Sequence, residues 1–363
     1  MEYLIFKEVQ EGLKRSVETL VGNPPRVPGY GWIVDKLAMV VSFDPSISDL
    51  LGLEHIGDLG YLRTKDETIL HVNGVKTQYQ TMSFFEELTK RTVELCPSVN
   101  SAGVTCIGNG AASQLYEGLV RSGIGRMNLI DKDRVELKNL ARQGWTIHDL
   151  NKSKVNVSRK RFLSINPFLD LLALYCDVCD FSEEGLKSLI GNDQAIIVAI
   201  DEERGKSFIN KATYPLGKPT IYLGLWEKAH AGEMVVVLPG KTPCYRCIME
   251  SRFEGLGPDE VPHGGKAQLG LIGDCHFLDA LALKIALAFC TSDMDMRKRW
   301  EDHLVNNCLV LAKQDPGFQG FDGEDLFAEA FGDNPAFFSY ETLWLNPHAW
   351  RDPNCPVCGD RAS

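Results

Sequence analysis

No apolar run in the sequence approaches the roughly 20 residues of a membrane-spanning helix, so no membrane span is expected. The first residues, MEYLIFKEVQEGLKR, lack the basic-then-apolar order of a secretory signal, which makes the cytoplasm the expected location. Positive charge is also short. Lys and Arg number 38 against 49 Asp and Glu, a net charge of −11. A surface that follows a nucleic-acid backbone needs clustered cations, so no nucleic-acid role is expected, and the basic bit SRKRF reads as a solvated helix face. No internal repeat or long low-complexity tract is found. The 11 cysteines, an odd number scattered through the chain, read as reduced thiols or metal ligands rather than a secreted disulfide framework.

What is present fits an ordinary globule. The chain is 44% hydrophobic and 24% charged, and its 363 residues suffice for one large α/β domain with an appended module or for two medium domains. Residues 1–95 predict a helix over Glu8–Val21, a break at GNPPRVPGYG, a helix at SISDLLGL, and strands in YLRTKDETILHVNGVKTQY turning at Asn73-Gly74. This helix-and-hairpin pattern predicts a small winged-helix-like α+β domain over 1–95. A dimerising or stabilising appendage is its plainer reading.

From about residue 100 the rhythm becomes strand–helix–strand: AGVTCIG, AASQLYEGLVRSG, RMNLID, KSKVNVSRKRFLSIN, LDLLALYCDVCDF, QAIIVAID, KPTIYLGLW. Alternating βαβ units predict a doubly wound, mostly parallel Rossmann-like sheet over 96–363. Residues 270–290 read as a buried helix, 291–335 as helical fragments and loops, and SYETLWL as a late strand.

The turn CIGNGAAS, with Gly108 and Gly110, joins a strand to a helix whose bare N–H groups can hold phosphate. Ser113 stands where a third glycine would be expected, so the motif alone equally describes a tight structural turn. Asp131 lies 23 residues beyond Gly108, at the end of the next strand, where an acid accepts bonds from a ribose hydroxyl. A dinucleotide dehydrogenase would share that much, but it has no use for the run that follows, NLIDKDRVELKNLARQ. Arg142 supplies a planar fork of donors suited to phosphate. Lys154 adds a compact cation, and Asp201, closing VAID, is a natural Mg²⁺ ligand beside a triphosphate. Asp133, Asn139 and Gln143 join the same predicted set.

These segments, SGIGRMNLIDKDRVELKNLARQ with NKSKV, SINP and VAID, resemble the adenylating domain of the E1-like (ThiF/MoeB) family, over roughly residues 100–290 and the C-terminus. The resemblance implies ribose on Asp131, the ATP triphosphate on Asn139, Arg142 and Lys154, and Mg²⁺ on Asp201. It also implies attack of a carboxylate on the α-phosphate, giving an acyl-adenylate and pyrophosphate. Two C-x-x-C hooks, Cys244/Cys247 and Cys355/Cys358, predict a closed structural Zn²⁺ site that pins the C-terminal tail. Cys176 and Cys179, read as lying on one strand, would face opposite ways and are taken as packing residues.

Two expected features are missing. The stretch MESRFEGLGPDEVPHGGKAQLG holds no cysteine, whereas relatives that pass the acyl group to sulfur carry one there. Cys275 and Cys290 fall in the following apolar helix, where buried thiols are the commoner reading. Gln78 and Gln80 stand where relatives carry the arginine of an R-Y-x-R-like segment that reaches the partner subunit. Either Lys90 or Arg91 substitutes, or that contact is lost. A homodimer is still expected.

With its N-terminal module, the chain is most similar to the MccB-like, peptide-tailoring branch of the family, including pantocin-type enzymes. The expected partner is a precursor peptide whose leader adds as a strand. The expected reaction is activation of a carboxylate, such as a glutamate side chain, followed by intramolecular dehydration. The alternatives are an activator of a ubiquitin-like or sulfur-carrier protein, nucleotide transfer to a peptide C-terminus, and a non-catalytic nucleotide-binding scaffold. His263 and Lys266, in GPDEVPHGGK, would serve if that loop orders over substrate, though Gly/Pro loops are more often passive.

Overall fold

The computed structural model describes residues 2–19, 26–34, 37–63, 68–226, 229–254, 256, 260, 270–313 and 341–359. His263 and Lys266, and residues 314–340, lie outside them. The chain divides into two compact units, one of residues 1–93 with 160–168, the other of 94–159 with 169–363.

The first unit contains β1 (Glu2–Phe6), α1 (Lys7–Val17), β2 (Glu18–Thr19), β3 (Val27–Val34), β4 (Leu37–Ser42), α2 (Pro45–Leu51), β5 (Glu54–Arg63), β6 (Thr68–Val72), β7 (Val75–Thr77), β8 (Tyr79–Met82) and α3 (Phe84–Thr89). Its sheet runs β7-β6-β5-β3-β4-β1-β8, with β2 beside β5. Ile5, Val9, Leu13, Val40, Leu59 and Tyr61 are among its core. The local chemistry is plain at α2: Asp44 accepts the Ser46 N–H at 2.8 Å, and Gly52, at φ +65°, ends the helix. Asn73 and Gly74 both have positive φ, as a tight hairpin between β6 and β7 requires.

The unit is richer in strands than the helix-and-hairpin reading foresaw. The segment read as a Pro/Gly break is partly β3. A Cβ at Gly31 would lie 1.8 Å from the Met39 carbonyl oxygen, and the register slips beside Gly29 and Gly31. Glycine here marks close backbone approach and irregular pairing, not a loop. The first helix also ends at Val17, four residues short of the expected Val21.

In the second unit follow β9 (Gly103–Ile107), α4 (Ser113–Arg121), β10 (Arg126–Ile130), α5 (Lys154–Ile165), β11 (Asp170–Leu174), α6 (Glu183–Ile190), β12 (Ala195–Val198), α7 (Glu203–Thr213), β13 (Thr220–Leu225), β14 (Ala231–Val237), α8 (Tyr245–Ile248), α9 (Ile272–Cys290), α10 (Met294–Val305), β15 (Leu309–Lys313) and β16 (Glu341–Leu345). The last residues of α5 belong to the first unit. The sheet order is β11-β10-β9-β12-β13-β14-β15-β16. The first five strands are parallel and the rest antiparallel. The doubly wound, mostly parallel expectation is met.

β9 (GVTCI) and β12 (AIIV) are buried at every residue, the signature of strands covered on both faces. α9 packs against α4 and against β12, β13 and β14. One reading fails here. LDLLALYCDVCDF is not one strand, because β11 stops at Leu174. Asp177 accepts the Cys179 N–H at 2.9 Å and starts a short 3₁₀ turn, a local bond that competes with the sheet ladder. Cys176 and Cys179 therefore do not alternate across a sheet.

Candidate functional site

The strand order turns back between β9 and β12, and the carboxyl ends of open parallel sheets collect ligands at such a point. β9 leaves the sheet through Gly108, at φ +88°, where a Cβ would lie 2.4 Å from the Ala199 carbonyl oxygen beyond β12. Only glycine fits. Past it lies a cavity of about 320 Å³ whose wall includes all nine predicted nucleotide residues: Gly108, Gly110, Asp131, Asp133, Asn139, Arg142, Gln143, Lys154 and Asp201.

Each is set by its element. Asp131 follows β10 and is buried. Its two carboxylate oxygens accept the backbone N–H groups of Asn109 at 2.5 Å and Asp133 at 2.6 Å. Burial pushes the Asp131 carboxyl above its usual range, against the pull of Lys154. A short backbone ladder ties the acids to the cation: Lys154 N–H donates to the Asp133 carbonyl at 3.0 Å, and Val135 N–H to that of Lys152 at 2.9 Å. Lys154 Nζ then lies 2.8 Å from Asp133 Oδ2.

Asn139 sits in a 3₁₀ turn (Leu137–Ala141), where its Oδ1 accepts the Glu136 N–H at 2.9 Å. Its amide donors are the part it can offer a ligand. Gln143 Oε1 accepts the Trp145 Nε1–H at 2.7 Å. Asp201 lies three residues past β12 at the cavity lip. Partial burial raises its carboxyl pKa, opposed by the nearby charges of Lys206, Arg142 and Lys154. A carboxylate so placed among cations fits a Mg²⁺-triphosphate: the acid takes the metal and the bases take phosphate oxygens.

Several residues here escaped the sequence reading. Glu203, in the first turn of α7 just after Asp201, is gripped by Arg252 at 2.7 Å and by the Tyr245 hydroxyl at 2.9 Å. Arg252 also binds the buried Glu233 at 2.6 Å, and Trp226 Nε1–H donates to the same carboxylate at 2.8 Å. Burial pushes Glu233 up, but Arg252, Lys206 and these bonds outweigh it and hold the carboxyl below its usual range. The network fixes the start of α7 and so the segment carrying Asp201. An acid inside the apolar strand EMVVV was its one sequence signal. Lys132 bridges Asp177 at 2.9 Å and Glu202 at 2.7 Å on the cavity wall. Cys275 and Asp279, from α9, also line the cavity. Burial pushes the Cys275 thiol up to about 11, so it is protonated at neutral pH.

The four hook cysteines form a separate buried cluster, every Sγ within 4.8 Å of the others. Cys244 and Cys355 sulfurs are 3.6 Å apart and those of Cys247 and Cys358 are 3.5 Å apart. Tetrahedral thiolates at about 2.3 Å from Zn²⁺ would stand roughly 3.8 Å from one another, so the donor set and its spacing fit that ion. Among the described residues no other group of three or more such donors is gathered.

Fold and cavity together define an α/β protein with a polar cavity at a sheet switch point, and the comparisons supply the family. Residues 84–279 match the ThiF family model. The sulfur carrier protein adenylyltransferase of Thermus thermophilus is 31% identical over 271 residues, 71% of this chain and 83% of its own length. The sulfur carrier protein ThiS adenylyltransferase of Bacillus subtilis is 32% identical over 157 residues, 42% of this chain but only 45% of its own. The chain thus spans less than half of that relative. Microcin C7 biosynthetic enzyme MccB, solved with N-formylated MccA, shares the fold at TM-score 0.52 and 20% identity, over 72% of this chain and 69% of that one. PaaA aligns at TM-score 0.46 and 19% identity, over 63% of this chain and 79% of that one. The chain belongs to the ThiF family.

Proposed function

We propose that the chain uses Mg·ATP to adenylate a carboxylate of a precursor peptide. The observation that carries this reading is the gathering of Asp131, Asn139, Arg142, Lys154 and Asp201 around one cavity at the switch point. Asp131 holds the ribose; Asn139, Arg142 and Lys154 hold the phosphate chain; Asp201 is the protein's ligand to Mg²⁺. The metal, when bound, neutralises charge on the phosphates. The peptide carboxylate oxygen attacks the α-phosphorus, the α–β anhydride bond breaks, and pyrophosphate leaves.

Capture of the acyl group by nitrogen or oxygen is favoured over transfer to sulfur. The stretch 249–270 has no cysteine, and the Cys275 thiol stays protonated at neutral pH. A peptide partner is supported by the first unit, whose sheet ends on β7 and β8 among the described residues. Such edges offer unpaired backbone groups to an extended leader. In this reading residues 1–95 recognise the leader and 96–363 carry the chemistry. A glutamate side chain as the activated group, dehydration to a pantocin-like ring, the structural zinc and a homodimer complete the proposal.

The test is product analysis with radiolabelled ATP and candidate precursor peptides. Peptide-dependent AMP and pyrophosphate are expected. ADP and phosphate, or no turnover with any candidate, would contradict adenylation. A reductant-labile adduct with a small carrier protein would favour the ubiquitin-like or sulfur-carrier alternative.

A further inference from the structure

The helix α7 begins without a side-chain cap. Glu202 stands at its N-cap position, makes no capping bond, and pairs with Lys132 at 2.7 Å instead. A helix start lacking such a bond needs another hold. Glu203, the first helical residue, has one. The Tyr245 hydroxyl lies 2.9 and 3.1 Å from its two carboxylate oxygens. Arg252 Nη1 donates to Glu203 Oε1 at 2.7 Å and to the Tyr245 hydroxyl at 3.2 Å. The hydroxyl thus accepts from the cation and donates to the anion. Tyr245 is fully buried and Glu203 nearly so, which leaves little water to compete for these bonds.

Tyr245 is itself held from three sides. It directly follows Cys244 and opens α8, inside the first cysteine hook. Its N–H donates to Asn210 Oδ1 of α7 at 3.2 Å, and its ring centre lies 4.4 Å from that of Tyr222 on β13. Between the end of β12 and the start of α7 lie residues 199–202, which carry Asp201. Ala199 N–H is fixed on the Ile107 carbonyl at 2.8 Å. Asp201 therefore sits on a short bridge with one anchor at Ala199 and the other at Glu203. Lys206, one turn further along α7, is 3.8 Å from Glu203 and has its Nζ 5.7 Å from the centre of the Tyr245 ring. Its charge also reaches Asp201.

Resting on the adenylation reading, we propose that Tyr245 is a positioning residue for the Mg²⁺ ligand Asp201: through Glu203 it fixes the start of α7 and with it the place of that carboxylate. The first cysteine hook then does more than pin the tail, because Cys244 and Cys247 flank the residue that holds the helix behind Asp201. Without the hydroxyl, Glu203 loses a donor and Arg252 loses the acceptor that braces it against Glu203. The ring, its packing on Tyr222 and the hook stay as they are. Asp201 would then be less well placed, and Mg²⁺ demands near-ideal octahedral geometry from its ligands. Asp131, Arg142 and Lys154 come from other elements, so their hold on a nucleotide does not pass through α7.

The test is calorimetric binding of α,β-methylene-ATP to the full chain, in excess Mg²⁺ and in EDTA, for wild type, Tyr245→Phe, Asp201→Asn and the double variant. Tyr245→Phe is expected to weaken binding in Mg²⁺ by about tenfold, leave binding in EDTA within about threefold, and keep the wild-type zinc content. Added to Asp201→Asn, the same change is expected to cost less than about threefold in Mg²⁺, because both act on one ligand. Equal weakening with and without Mg²⁺, no change in either, or full additivity with Asp201→Asn would overturn the proposal. Glu203→Gln, which weakens the same contact from its other side, is expected to show the same Mg²⁺-selective loss and suffices if Tyr245→Phe does not fold. Wild-type protein that binds no nucleotide, or binds it no better with Mg²⁺, would instead contradict the adenylation reading itself.

Discussion

Lys154 Nζ and Asp133 Oδ2 are 2.8 Å apart, yet the lysine side chain is 6% exposed and the aspartate side chain 56%. The cation is fixed in the protein and the anion faces outward. Asp133 therefore compensates a buried charge that a phosphate would otherwise neutralise. Lys154→Ala is expected to lower ATP turnover by about 10²-fold or more. Asp133→Asn, which removes a competitor for the cation, is expected to cost less than about tenfold. Steady-state pyrophosphate release measures both, and equal losses would contradict this division of roles.

Arg142→Ala and Asp201→Asn are each expected to lower turnover by about 10²-fold or more while leaving the circular dichroism spectrum and melting temperature close to wild type. Near-normal activity in both variants would count against the site.

One bound zinc per chain is expected, held by Cys244, Cys247, Cys355 and Cys358. Cys355→Ser should lose the metal and lower the melting temperature, because a structural zinc contributes folding free energy directly. Full zinc content in that variant, by mass spectrometry or atomic absorption, would rule out this ligand set.

Asp279 supplies a pH dependence of stability whose sign can be worked out. Its folded pKa is raised, so the folded state holds a proton that the unfolded chain releases near pH ~3.9. Folding then takes up a proton between those two values, and wild-type stability falls as pH rises through that window. Asp279→Asn carries no such proton. Relative to wild type it should gain about 1.4 kcal/mol per pH unit within the window. Denaturant unfolding followed from about pH 4 upward reads the difference, and parallel curves throughout would contradict a raised folded pKa at Asp279.

Arg252 bridges Glu203 and the buried Glu233. Arg252→Met leaves Glu233 without its main counter-charge, and a loss of about 3 kcal/mol in unfolding free energy is expected. An unchanged denaturation midpoint would show that the network does not hold α7.

How far the sequence reaches differs between the two halves of the molecule. The strands β9, β10, β12 and β13 are short apolar runs bounded by turns, and the acids after them sit where strand ends must lie. The places of Asp131 and Asp201 just past β10 and β12 were therefore legible. In the first unit β3 was not, because Gly29 and Gly31 read as turn residues until the close approach of Met39 and Leu59 is seen. The strand β11 was overextended because Asp177 makes a local bond that alternation does not reveal. Glu203, Arg252 and Asp279 were missed for a common reason. Their partners come from distant elements, and one-dimensional spacing carries no trace of them.

The most direct test of the central claim is a crystal structure with Mg²⁺ and a non-hydrolysable ATP analogue. The ribose should meet Asp131, the phosphates Arg142 and Lys154, and the metal Asp201, all within the one cavity. Nucleotide bound in a different cavity, or with its phosphates away from Arg142 and Lys154, would contradict it.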